Sequence, residues 1–202
     1  MKILQGFLMF MGGLAVLAVI ALTSGYVLAL LTPDTRVNVR PVPLSSEAVD
    51  SFNKKLADVK KETIAAEESN TAKNIKLVIT EEEINSTIVM ALAEGTLPAK
   101  EMLVNFNDGY LMTYTSWNFP GLPIKTGFIG TLDVEKGKPK FLIHDFYLGK
   151  LPLPDSIDGA VQDWINILLK LNATLEELNF DVKEITISEG QLLLSGTTKT
   201  GK

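Results

Sequence analysis

The sequence predicts an α+β domain, amphipathic helices packed against one antiparallel sheet, carried behind an N-terminal transmembrane helix. Three observations predict it. The chain opens on a long uncharged apolar run, short alternating strands follow one another through Gly-containing turns, and helices interrupt those strands without producing a βαβ repeat.

From Ile3 to Leu31 no side chain is charged, and Gln5, Thr23 and Ser24 are the only strongly polar ones. That run exceeds the ~20 residues that span a bilayer as a helix. A cleaved signal peptide would have an apolar region of only ~7–15 residues and a small-x-small site, which Leu28-Ala29-Leu30-Leu31 does not supply. Residues 1–31 are therefore expected to be an uncleaved, single-pass signal anchor in the cell membrane. Lys2 and the terminal amine precede the run while Arg36 and Arg40 follow it, so the positive-inside balance is nearly even. A helix that begins at residue 3 leaves no domain to export on its N-terminal side, so the bulk of the chain is expected to be extracytoplasmic. Ala21, Gly25 and Ala29 recur every four residues, a spacing that suits helix pairing but also follows from the abundance of small residues in membrane helices.

Residues 32–45 contain Pro33, Pro41 and Pro43 and read as an extended stalk, standing off the membrane or folded along the domain. Residues 46–202 are the expected soluble domain. Val49, Phe52, Leu56 and Val59 form a helical stripe after Ser46, a candidate N-cap. Ile75, Leu77 and Ile79 alternate as a strand, and Thr80-Glu81-Glu82-Glu83 is a capping box that opens a helix with Ile84, Ile88, Ala91 and Leu92 inward, ended by Gly95. A meander follows, with strands at 101–106, 110–117, 124–135 and 140–148. A helix over 155–171 carries Ile157, Val161, Trp164, Ile165 and Leu168 on one side, and the chain closes on a hairpin, 182–188 and 191–197.

Composition narrows the function. With 19 Lys+Arg against 24 Asp+Glu and no dense basic stretch, nucleic acid is not an expected partner. The absence of cysteine excludes a disulfide framework, a thiolate metal site and a Cys nucleophile. The single histidine, His144, sits beside Asp145 on a strand, where neighbours point to opposite faces, so the pair makes a poor catalytic dyad. Acidic clusters at Glu67-Glu68, Glu81-Glu82-Glu83 and Glu176-Glu177 fall at helix ends or on polar faces. No catalytic residue, metal or cofactor is expected, and the chain is read as a non-enzyme. Asn85-Ser86-Thr87 and Asn172-Ala173-Thr174 match the glycosylation sequon, the first of them inside a predicted helix.

The informative feature is apolar. On the strand Phe141–Leu148, strict alternation puts Phe141, Ile143 and Tyr147 on one face and Leu142, Phe146 and Leu148 on the other, so both faces need cover. The 155–171 helix, a bound apolar ligand or a partner protein would each supply it. The turn containing Trp117, Phe119 and Leu122 is too apolar to sit comfortably in water and is a candidate membrane-interface loop.

The "ITEEEINSTI", "FIGTLDVEKGKPKFLIHDFYLGKLPLP" and "EITISEGQLLLSGTT" segments behind a membrane helix resemble bacterial YpmS-like and LmeA-like envelope proteins, which are similar to tubular lipid-binding (TULIP) proteins. The resemblance implies a curled antiparallel sheet cradling a long helix, an apolar groove, and membrane phospholipid as the ligand. Phe128, Leu132, Phe146, Leu148 and Trp164 are the candidate groove residues. The alternative is a membrane-anchored assembly or scaffold subunit whose apolar faces meet a membrane protein partner.

Overall fold

The computed structural model describes residues 20, 22–33, 39–97, 99–117, 124–152 and 180–199. Helix α1 (Ser46–Glu68) starts at Ser45, whose Oγ accepts from the Ala48 N–H at 3.1 Å. Strand β1 (Asn74–Thr80) runs straight into α2 (Glu81–Ala93), and the Thr80 and Glu83 side chains cap each other's backbone N–H groups there. Then come β2 (Ala99–Asn107), β3 (Tyr110–Trp117), β4 (Lys125–Glu135), β5 (Lys138–Leu148), the two-residue β6 (Leu151–Pro152), β7 (Phe180–Ser188) and β8 (Gln191–Thr198). The predicted 155–171 helix and residues 1–19 of the predicted anchor lie outside the described residues.

The domain is α+β, but it has two antiparallel sheets where the sequence predicted one. The meander forms a five-stranded sheet, β2-β3-β4-β5-β6, while the last hairpin pairs with β1 as a separate sheet, β1-β8-β7. Among the described residues both sheets are open, so the curled sheet implied by the resemblance is not found. The reason is a long-range pairing: Leu77 lies opposite Leu194 and Ile79 opposite Leu192, which leaves the alternating apolar faces of β1 and β8 in register.

Strand β7 lies across the turn end of the five-stranded sheet. Near its start the Val182 N–H donates to the Gly137 carbonyl at 2.9 Å, in the β4–β5 turn. Near its end the Ile187 carbonyl accepts from the Gly109 N–H at 3.0 Å, in the β2–β3 turn. The two sheets thus enclose one core, in which Phe106, Leu111, Phe141 and Ile143 meet Phe180, Val182, Leu192 and Leu194. Each large side chain fully buried there stabilises the fold by roughly 1.5–3 kcal/mol.

The free edge of β2 is satisfied by side chains. Asn85 is fully buried and acts as a substitute strand: its Nδ2 donates to the Val104 carbonyl at 2.7 Å and its Oδ1 accepts from the Val104 N–H at 2.9 Å. Asn85 is therefore a core residue and not a glycosylation acceptor in the folded chain. One step along, the Phe106 N–H donates to Glu81 Oε1 at 2.5 Å, and the Phe106 carbonyl accepts from the Gly190 N–H at 3.0 Å and Arg40 Nη2 at 3.2 Å. Arg40 also pairs with Glu81 and Glu189. It belongs to the turn end of the fold, a placement its position shortly after the apolar run did not announce.

The buried side of α2 is more polar than the predicted stripe of Ile84, Ile88, Ala91 and Leu92, because Glu83, Asn85 and Ser86 are buried beside Ile88. Burial alone pushes the Glu83 carboxyl up. Lys55 Nζ at 2.6 Å, Ser51 Oγ at 2.7 Å and the Thr80 N–H at 2.9 Å together hold it below the usual carboxylate range. Since an unfolded Glu titrates near about 4.3, Glu83 contributes stability that is complete above that pH and is lost as pH falls through the lower folded value. Thermal unfolding of wild type and Glu83→Gln between pH 7 and 3 should show an acid loss in wild type that the variant lacks, and identical profiles would contradict this assignment.

Candidate functional site

The meander's inner face carries Met102, Val104 and Phe106 on β2, Leu111, Thr113 and Thr115 on β3, and Thr126, Phe128, Gly130 and Leu132 on β4, as their pairing requires. Strand β5 joins this face through an irregularity that the sequence reading missed. Ile143 lies opposite Gly130 and Asp145 opposite Ile129, so His144 is an extra residue in the ladder. Beyond this bulge the alternation is reversed, and Phe146 lies opposite Phe128 and Leu148 opposite Thr126. Phe141, Ile143, Phe146 and Leu148 therefore share one face, correcting the expectation that Phe146 and Leu148 point away from Phe141. The larger apolar face of the strand is therefore the inner one, with half-buried Leu142 and Tyr147 left on the other.

Gly130 makes the bulged pairing compact. A Cβ at this position would collide with the Leu142 carbonyl and the Phe141 ring, so the ring packs directly over backbone. Phe141 in turn meets Phe128 edge-to-face, with centroids 5.1 Å apart and planes at 65°.

Burial changes along this face. Phe141 and Phe128 are buried near the turn end and the middle, Leu132 packs on the core from its margin, and Phe146 and Leu148 are half-buried toward the opposite end. These four predicted groove residues, Phe128, Leu132, Phe146 and Leu148, are thus brought onto one continuous face, while Trp164 lies outside the described residues. Trp117 is half-buried at the same end, its Nε1 donating to Thr126 Oγ1 at 2.9 Å, whereas Phe119 and Leu122 of the predicted interface loop lie outside the described residues. The sequence reading overlooked Thr113. It is 2% exposed, among apolar neighbours, and its Oγ1 has no hydrogen-bond partner among the described residues. Its position two residues after Leu111 on β3 was the available signal.

The N-terminal segment docks at this end of the sheet. Residues 22–30 are helical, and among the described residues no helix is both long and apolar enough to cross a membrane. Leu22, Tyr26, Val27 and Leu28 are exposed, and the Ser24 hydroxyl donates to the Ile20 carbonyl at 2.8 Å. The Leu28 carbonyl accepts from the Lys150 N–H at 2.8 Å, and Lys125 Nζ donates to Thr32 Oγ1 at 2.9 Å. Pro33 is fully buried, and Val39 is buried against Met112 and Tyr114 on the sheet's outer face. The described parts of the proline-containing segment are thus folded along the domain, the second of the two arrangements its sequence allowed.

His144 is exposed on the bulge with Nε2 3.1 Å from Thr131 Oγ1, and no group of three or more His, Cys, Asp or Glu among the described residues could hold a metal ion.

The bulge makes its own prediction. Replacing the side chain in His144→Ala should change stability by no more than about 0.5 kcal/mol, as for an exposed position. Deleting His144 removes the extra residue and leaves Phe141, Ile143, Phe146 and Leu148 in strict alternation on the inner face, so it should cost no more than about 1 kcal/mol. In a strand without the bulge the same deletion would turn Phe146 and Leu148 outward and cost about 3 kcal/mol or more, so a loss of that size in denaturant unfolding would contradict the bulge. No family model matches the chain, and no match to a curated protein was found.

Proposed function

We propose that this chain is a membrane-anchored, non-enzymatic protein of the bacterial cell envelope that binds phospholipid on the inner face of β4 and β5, with the domain on the extracytoplasmic side. The observation that carries the reading is the direction in which the apolar interior loosens. The face is tightly packed at Phe141 and Phe128 and half-buried at Phe146 and Leu148, and that second end is where the exposed apolar helix docks. An acyl chain leaving a bilayer would meet this end first. The uncharged run from Ile3 to Leu31 supports anchoring, because exposed Leu22, Tyr26 and Val27 continue it and gain by burial in lipid. Thr113 supports a ligand with polar as well as apolar atoms, since a buried hydroxyl without a partner costs about 1–3 kcal/mol that an ester or carboxyl oxygen would offset. The resemblance to tubular lipid-binding proteins points the same way.

One observation favours the scaffold reading. An open groove of about 460 Å³ between the start of α1 and the face of α2 is lined by Leu44, Val49, Val89 and Met90, and Leu44 and Met90 are about half exposed. A partner helix would cover such a surface.

The test uses the full chain in vesicles containing a phospholipid with a photoreactive acyl chain, followed by mapping of the labelled peptides. Label on residues 125–148, reduced by Phe146→Asp, is the expected result. Label confined to residues 1–31 would contradict lipid binding and leave an anchor whose domain serves a partner.

A further inference from the structure

We infer that the helix end of the domain is a membrane-docking surface, held against a bilayer with anionic headgroups in one fixed orientation by the joint between residues 28–33 and the β5–β6 turn. The inference rests on the anchoring half of the proposed function and adds the surface that faces the lipid.

A helix ends with carbonyls that lack partners, and a flexible tether would leave them to water. Here the Leu28 carbonyl accepts from the Leu31 N–H at 3.2 Å and, from the domain, the shorter bond of the Lys150 N–H at 2.8 Å, while the adjacent Gly149 N–H bonds to the Lys125 carbonyl at 2.7 Å. Helix, turn and β4 are thereby linked through backbone, and Lys125 Nζ adds its bond to Thr32. Gly149 is required for the approach. Its φ is +60°, and a Cβ there would collide with the Leu28 and Ala29 carbonyl oxygens. With Pro33 buried three residues past the helix, little free chain separates helix from domain.

A rigid joint of this kind brings the sheet's helix end close to the surface from which the apolar helix emerges. Among the described residues that end carries Lys100, Lys125 and Lys150 against Glu94 and Glu101, with the amphipathic Trp117 beside them. At the turn end Asp108, Asp133, Glu135, Asp181 and Glu189 are matched by Arg40, Lys136, Lys138, Lys140 and Lys183. The helix end thus keeps the small basic excess that suits anionic headgroups.

The chain has no cysteine, so single spin labels can be placed at Lys150→Cys and, at the turn end, at Tyr110→Cys. The full chain is reconstituted in phosphatidylcholine vesicles containing phosphatidylglycerol, and each label's accessibility to oxygen and to a water-soluble nickel chelate is measured. The Lys150→Cys label should sit at headgroup depth, with nickel accessibility several-fold below that of Tyr110→Cys, and adding Gly149→Val should raise it toward the Tyr110→Cys value. Equal, fully aqueous accessibility at both positions in the otherwise unaltered chain would overturn the docking surface while leaving the anchor intact. Failure of the chain to remain with the vesicles would overturn the anchoring itself.

Discussion

Val182 gives its N–H to the Gly137 carbonyl, and Ile187 takes the Gly109 N–H on its carbonyl, so β7 spans the turns of two hairpins in a sheet it never joins. The architecture follows from that crossing. It sets the three-stranded sheet against the turn end of the five-stranded one, and it brings Phe180 and Val182 onto Phe141 and Ile143. It also puts Glu189 within reach of Arg40, whose guanidinium joins Glu81 and the Phe106 carbonyl. Two open sheets acquire a common interior in this way, and the edge of β2 is paired by Asn85 and Glu81 instead of being left as a template for aggregation.

Closing the interior at one end leaves the other to be defined by different means. The bulge at His144 keeps Phe146 and Leu148 on the same face as Phe141, extending the apolar surface toward the joint with the N-terminal helix. In the proposed account these features act together, with a rigid anchor presenting the looser end of an apolar face to the bilayer. A flexible stalk would not fix that presentation. The buried Pro33 and Val39 and the bond between Lys150 and Leu28 give the joint its physical content.

Much of this was legible in the residues. The capping box at Thr80, the alternating β1 and the turns of the meander are local signals, and each marks an element found close to its expected place. What the sequence withheld was non-local. Nothing in Ile185, Ile187, Leu192 or Leu194 says that their hairpin pairs with β1, some hundred residues earlier in the chain, instead of extending the meander. The bulge was hidden for another reason: one inserted residue leaves composition unchanged and reverses every later assignment of face, so Phe146 and Leu148 were placed on the wrong side. Asn85 and Arg40 looked like a sequon and a membrane flank because each was read from its neighbours in sequence, and both act through partners far along the chain.

Amide hydrogen exchange on the full chain tests the central claim most directly, because opening free energies follow local burial and contact density. The account predicts slow exchange at Gly109, Gly190 and Val182, comparable with the core strands, and progressively faster exchange along β5 from Phe141 to Leu148. Fast exchange at the glycine and Val182 amides, or uniform protection along β5, would contradict an interior closed by β7 at one end and looser at the other.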